Sequence, residues 1–181
     1  MSIAENKKKN NISEYIIFMY QTEDLIRVYN FDMDQIKEYV ISHFPVDEKE
    51  KETLVVWYNG ILDQMNEEKI QDKGHLDQVN KIVVELAEMS KQLLKSDHAY
   101  RQIYDQAKIH INKNMDLAEG AIKEPIQICL NAIYGLLLLR MNGKKVDESL
   151  MEGINSFGDV LSYLSFKYKQ RKAIHTSKPS N

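Results

Sequence analysis

Glu23, Asp24 and Arg27 stand within one helical turn of each other, with Tyr20 just before them, and this is where the chain first gathers groups that could do chemistry. Two carboxylates, a guanidinium and a phenol on one stretch can hold a small polar molecule, the cation taking a carboxylate or phosphate in bidentate fashion. The spacing allows a second outcome. Ile16, Tyr20, Glu23 and Arg27 follow one another at i, i+4, i+7 and i+11, so they share a helix face, and Glu23 precedes Arg27 in the order that favours an ion pair. Aliphatic and aromatic neighbours on that stripe predict a covered face, packed under another helix or a second subunit. Asn131 and Arg140, on a later apolar segment, complete a candidate polar pocket of Tyr20, Glu23, Asp24, Arg27, Asn131 and Arg140. Arg140 projects to the side of Ile126 and Ile133, so it is expected to turn inward and meet Glu23 or Asp24.

The other reactive types are less concentrated. His110 falls on an apolar face with Ile103 and Ala107, and His43 on one with Ile36 and Val40; both are expected to be hydrogen-bonded core histidines. No His-x-x-x-His, Glu-x-x-His or His-x-x-Glu occurs, so the helical di-metal pattern is missing and no metal or cofactor is assigned. Glu85-x-x-Glu88 and Asp116-x-x-Glu119 echo the paired carboxylates of all-α nucleotide pyrophosphohydrolases. Glu88, however, projects away from the apolar stripe of its own helix, and carboxylates that do not converge cannot share a cation. A phosphohydrolase is therefore the least favoured reading. Cys129 sits in the most apolar segment and reads as a small buried hydrophobe. From Val160 onward the charges are all basic, with Tyr163, Phe166 and Tyr168 among them. Cations suit the last turns of a helix, which disfavours nucleic acid as their purpose. Tyr163 and Phe166 face away from the Leu150–Leu164 stripe and, with Ile16 and Tyr20, form the candidate subunit interface.

These residues ride on helices. Asn11-x-x-Glu14, Asp32-x-x-Gln35 and Asp47-x-x-Glu50 read as capping boxes that open helices near residues 12, 33 and 48. Further stripes run through Val79–Leu93, Tyr100–Ala118 and Leu150–Tyr168. Pro125 to Met141 is apolar nearly all round, far short of the roughly 20 residues a bilayer span requires, and is expected to be the central rod of the domain. The expected architecture is one all-α bundle of about seven helices over residues 12–172, packed around the 125–141 helix, with a flexible arm at 1–11 and a disordered basic tail at 173–181.

Composition sets the outer limits. With 43% hydrophobic and 28% charged residues the chain has ordinary globular proportions, and seven Gly and three Pro argue against a turn-rich β fold. A net charge of −3 gives no bias towards nucleic acid or an anionic membrane. A single cysteine and a basic N-terminus with no apolar stretch after it suit a cytoplasmic protein.

Two strings carry a family resemblance: YIIFMYQTEDLIRVYNFD at Tyr15–Asp32 and CLNAIYGLLLLR at Cys129–Arg140. They resemble a family of small, uncharacterised all-α proteins from Bacteroidetes, a domain of unknown function, across nearly the whole chain. The resemblance implies a single-domain bacterial protein and supplies no catalytic residue. The leading expectation is a non-enzymatic interaction or scaffold protein that binds itself, as a homo-oligomer, or another protein. The alternative is a small-molecule binder whose polar pocket lies between the 12–29 helix and the 125–141 helix.

Overall fold

The computed structural model describes residues 3–176. Among them the chain forms eight α-helices and no strand: α1 (Ile3–Asn10), α2 (Ile12–Val28), α3 (Met33–Tyr39), α4 (Glu48–Glu67), α5 (Asp77–Ser96), α6 (His98–Leu117), α7 (Pro125–Met141) and α8 (Glu148–Thr176). A 3-10 turn, Ile41–His43, follows α3. No helix of the described residues is long and apolar enough to cross a membrane.

Local chemistry sets the boundaries. Asn11, Asp32, Asp47 and Asp97 each accept a backbone N–H of the first turn they precede, and Asn11 and Asp32 also bond to the Glu14 and Gln35 side chains. Such caps satisfy donors that have no partner within the helix. Pro125 opens α7 at a position where its missing N–H is harmless. Asn30, Phe31, Lys69 and Glu119 adopt positive φ at the breaks between helices, joined there by Gly74, Gly120 and Gly143.

The most enclosed helix is α2. It packs against α1, α4, α5, α7 and α8, and buries Ile12, Tyr15, Ile16, Met19, Tyr20 and Ile26 together with the polar Ser13, Thr22 and Glu23. Ser13 is tied to α8 by a 2.7 Å hydroxyl pair with Ser165 and a bond to the Leu161 carbonyl. Helix α7 packs against α2, α5, α6 and α8, but its two halves differ. Ile126, Ile128, Cys129 and Leu130 are buried, whereas Leu138, Leu139, Arg140 and Met141 are exposed. Burial also pushes the Cys129 thiol up to about 12, which leaves it protonated and inert.

The expected central rod is thus central only in its first half, α2 being the more enclosed helix, and the structure departs from the expected bundle in three further places. Residues 3–10 are not a flexible arm but helix α1, laid on α2 with Ala4 buried and with the Lys7 and Lys8 ammonium groups over the Phe18 and Tyr15 rings. Only Ile3 and Ala4 are apolar in this segment, so no periodic stripe announces it; the lysine stems and cation–π contacts do the covering. Helix α8 runs through Thr176, so residues 173–176 continue the helix, and the remaining tail residues lie outside the described ones. The expected helix face of Ile36, Val40 and His43 is cut short, because α3 stops at Tyr39 and the 3-10 turn after it breaks the α-helical phase. His43 is therefore exposed and bonded to Ser42 rather than set in the core.

Candidate functional site

Two depressions flank the C-terminal half of α7. The first is polar and lies between α2, the α4–α5 connection and α7. Its volume is about 450 Å³, and Tyr20, Asp24, Arg27, His75, Asn131 and Tyr134 are on its wall. Beneath it the Glu23 carboxylate is fully buried. One of its oxygens accepts the Leu76 backbone N–H at 3.1 Å, and the other lies 2.6 Å from His75 Nδ1. Leu76 is the residue at the cap of α5 and has no side-chain acceptor to offer. Glu23 supplies from α2 what the local sequence lacks, and places negative charge at the positive end of the α5 dipole.

Arg27 completes the brace. Its guanidinium donates to Asp24 at 2.9 Å, to the Ile70 carbonyl at 3.1 Å and to the Gly74 carbonyl. Tyr134 donates to the other Asp24 oxygen at 2.7 Å, joining α7 to the network. The Tyr20 ring stacks on His75 at 3.6 Å between centroids and accepts from Gln127, which also donates to Asn131. Burial pushes the Tyr20 phenol up to about 12, and burial followed by the neighbouring Asp24 raises Tyr134. Tyr20, Asp24, Arg27, Asn131 and Tyr134 are thus engaged with one another and with the backbone of the α4–α5 connection, while Asp72 and Lys73 stand exposed on the same wall. This arrangement can lock a loop in place; it leaves few donors for a ligand.

The second depression is apolar and larger, about 580 Å³, and lies between the C-terminal ends of α6 and α7 and the start of α8. Leu136, Ile154 and Phe157 form its floor, and Leu117, Leu138 and Leu150 stand exposed around it. The His110 ring lies edge-on to Phe157 and so close to Gly153 that a Cβ there would come within 3.0 Å of its Nδ1.

A family model, the domain of unknown function DUF4924, matches residues 1–175. The chain belongs to this family. No curated protein and no solved structure matches it. Family membership therefore extends over both depressions without assigning a role to either.

Of the residues singled out in the sequence, Tyr20, Asp24, Arg27 and Asn131 come together in the polar cleft, with Glu23 just beneath. Arg140 does not join them: it is exposed at the end of α7, and neither Glu23 nor Asp24 pairs with it. The last turns of α7 have left the protein interior, so a residue that projects to the buried side of an ideal rod meets solvent. Glu23 and Arg27 do not pair with each other either, because both find partners of good geometry in the α4–α5 connection. Ile16 and Tyr20, expected to be half of a subunit interface, are fully buried, covered by helices of the same chain. Tyr163 is half-buried and donates to Asp97 at 2.8 Å, while Phe166 is exposed. Glu85 and Glu88 face solvent, Glu85 beside Lys172 and Glu88 bonded to Lys91, and Asp116 and Glu119 are exposed as well. Among the described residues no three His, Cys, Asp or Glu side chains converge as metal ligands would.

Sequence reasoning misses His75, Gln127 and Tyr134. His75 stands in a connection, where no periodicity aims it, and Gln127 and Tyr134 are hidden among the apolar residues of α7. The apolar groove does have a signal, the two-sided apolar character of α7. A helix with no polar face predicts burial on all sides, and here one of its sides is the wall of a groove.

Proposed function

We propose that this protein is a non-enzymatic binding protein whose ligand seat is the apolar groove between α6, α7 and α8, and that the seat takes a small molecule. The observation that carries the reading is the groove itself: about 580 Å³, floored by Leu136, Ile154 and Phe157 and edged by a few polar groups. Small-molecule sites have this size and this mixture. In the polar cleft, the other candidate, Glu23 and Arg27 are bonded to the α4–α5 connection and Asp24 joins Arg27 to Tyr134, so these side chains act as the brace that holds α2, α5 and α7 together.

A second reading, self-association, is favoured by the exposure of Leu117, Leu138, Leu139 and Leu150 around the groove. Apolar residues exposed together mark contact surfaces of either kind. The neutral fluorophore Nile red separates the two when sedimentation is run on the same samples. Binding by a monomer, lost in Ala132→Phe or Leu139→Asn with helical circular dichroism retained, supports the ligand seat. A dimer at low micromolar concentration that Leu139→Asn dissociates supports self-association. Binding unchanged by both substitutions refutes the groove as the seat.

A further inference from the structure

The groove has a charge pattern that composition alone would not produce. The chain carries 27 Asp and Glu against 24 Lys and Arg, yet no carboxylate lines this depression. Its charged or ionisable wall groups are Lys113 from α6, Lys144 from the α7–α8 connection and His110 from α6. Lys113 and Lys144 are exposed, and neither forms an ion pair with a carboxylate among the described residues. Ser149, in the first turn of α8, also lines this wall, and its N–H is already bonded to the Asp147 carboxylate at 2.9 Å, so the rim's positive charge comes from the lysines. The carbonyl ends of α6 and α7 that also border it are already engaged. Ala118 N–H bonds to the Asn114 carbonyl, and Asn142, Gly143 and Lys144 bond to those of Leu138, Arg140 and Leu139.

We infer that the groove binds an amphipathic carboxylate: an aliphatic or aromatic body seated on Leu136, Ile154 and Phe157, with its anionic end drawn to Lys113 and Lys144. This rests on the groove being the ligand seat. Each half of the chemistry has its own cause. The apolar floor gains by removing carbon from water, and the rim favours a negative end because it presents cations with no internal partner. The same pattern disfavours a second copy on this face. A two-fold contact sets each surface against itself, and would bring unpaired lysines towards lysines.

Isothermal titration of the full chain with decanoate, 1-decanol and decyltrimethylammonium, all below their aggregation limits, tests the inference. Decanoate binds most tightly and decyltrimethylammonium at least about ten-fold more weakly, with decanol between them. Octanoate is weaker than decanoate by about four-fold per methylene removed, the fold-change for about 0.8 kcal/mol of buried CH₂. The double substitution Lys113→Met/Lys144→Met, at two exposed positions, lowers decanoate affinity by roughly ten-fold, an upper figure for two partly screened contacts, and leaves decanol binding as it was. Equal affinity for the three head groups overturns the carboxylate inference while the groove remains the seat. A decanoate preference that survives the double substitution overturns the role of the two lysines. No binding of any of the three, with Nile red also unbound, removes the ligand seat and the inference with it.

Discussion

Removing the Glu23 carboxylate is the sharpest test of how this fold is held. Its two contacts, 3.1 Å to the Leu76 N–H and 2.6 Å to His75, lie where the side chain has no exposure to water. Hydrogen bonds to a charged group contribute ~1.5–3 kcal/mol each. Deleting one partner of a buried pair costs ~3–5 kcal/mol, since the other partner is left unsatisfied. Glu23→Ala does this to Leu76 at the start of α5 and to His75 at once, and opens space below Tyr20. We expect a loss of ~3–5 kcal/mol, which for a chain of this size lowers the melting temperature by roughly 6–20 °C. Glu23→Gln keeps one oxygen for the Leu76 N–H, and its amide can donate to His75 in the other ring tautomer, so it should cost only ~1–1.5 kcal/mol. Urea unfolding followed by helical circular dichroism gives both values. If Glu23→Ala stays within about 1 kcal/mol of the parent, or Glu23→Gln is as damaging as the alanine, the carboxylate is not what fixes the connection to α5.

Other sites give two further expected outcomes. Asp97 accepts from Lys167 at 2.9 Å, from the Tyr100 backbone N–H and from Tyr163, contacts that hold its carboxyl down to about 2. A folded-state value below the unfolded one, about 3.9, means stabilisation that is present above the unfolded value and lost as pH falls towards about 2. Urea midpoints of the parent and of Asp97→Asn should therefore differ at about pH 6 and converge near pH 2. The glycines supply a packing contrast. A Cβ at Gly135 of α7 meets nothing within 4 Å, so Gly135→Ala should stabilise by ~0.5–1 kcal/mol through helix propensity. At Gly153 the new methyl would press on the His110 ring at 3.0 Å, and that crowding should cancel the same gain or reverse it. Equal thermal shifts in the two variants would show that His110 yields freely.

Much of the polar cleft's lining could be read from spacing, and the parts that could not share a cause; the apolar groove was marked only by the two-sided character of α7. The i, i+4, i+7 stripe of Ile16, Tyr20 and Glu23 correctly marks a covered face, and Tyr20, Asp24, Arg27 and Asn131 do share one cleft. What a stripe does not contain is the identity of the covering partner. Glu23 faces His75 and Leu76, more than fifty positions away, and Arg27 faces carbonyl oxygens that any residue type supplies. The first cannot be found without the fold, and the second leaves no trace in residue type at all.

Helix number, capping residues and the limits of α7 are largely local matters, settled by side chains within four residues of each other and by an apolar period near 3.6, so the sequence alone determines most of them. Whether an apolar face ends up against protein or against water is not local. Leu130 and Leu138 are the same residue type on the same helix, yet one is fully buried and the other exposed at the groove. The difference arises because α6 and α8 leave the end of α7 partly uncovered, and that geometry is set by contacts such as His110 against Gly153 and Ser13 against Ser165 between distant segments. Apart from α1, the sequence specified which helices form; only the packing of one helix against another decided which apolar surface was left open.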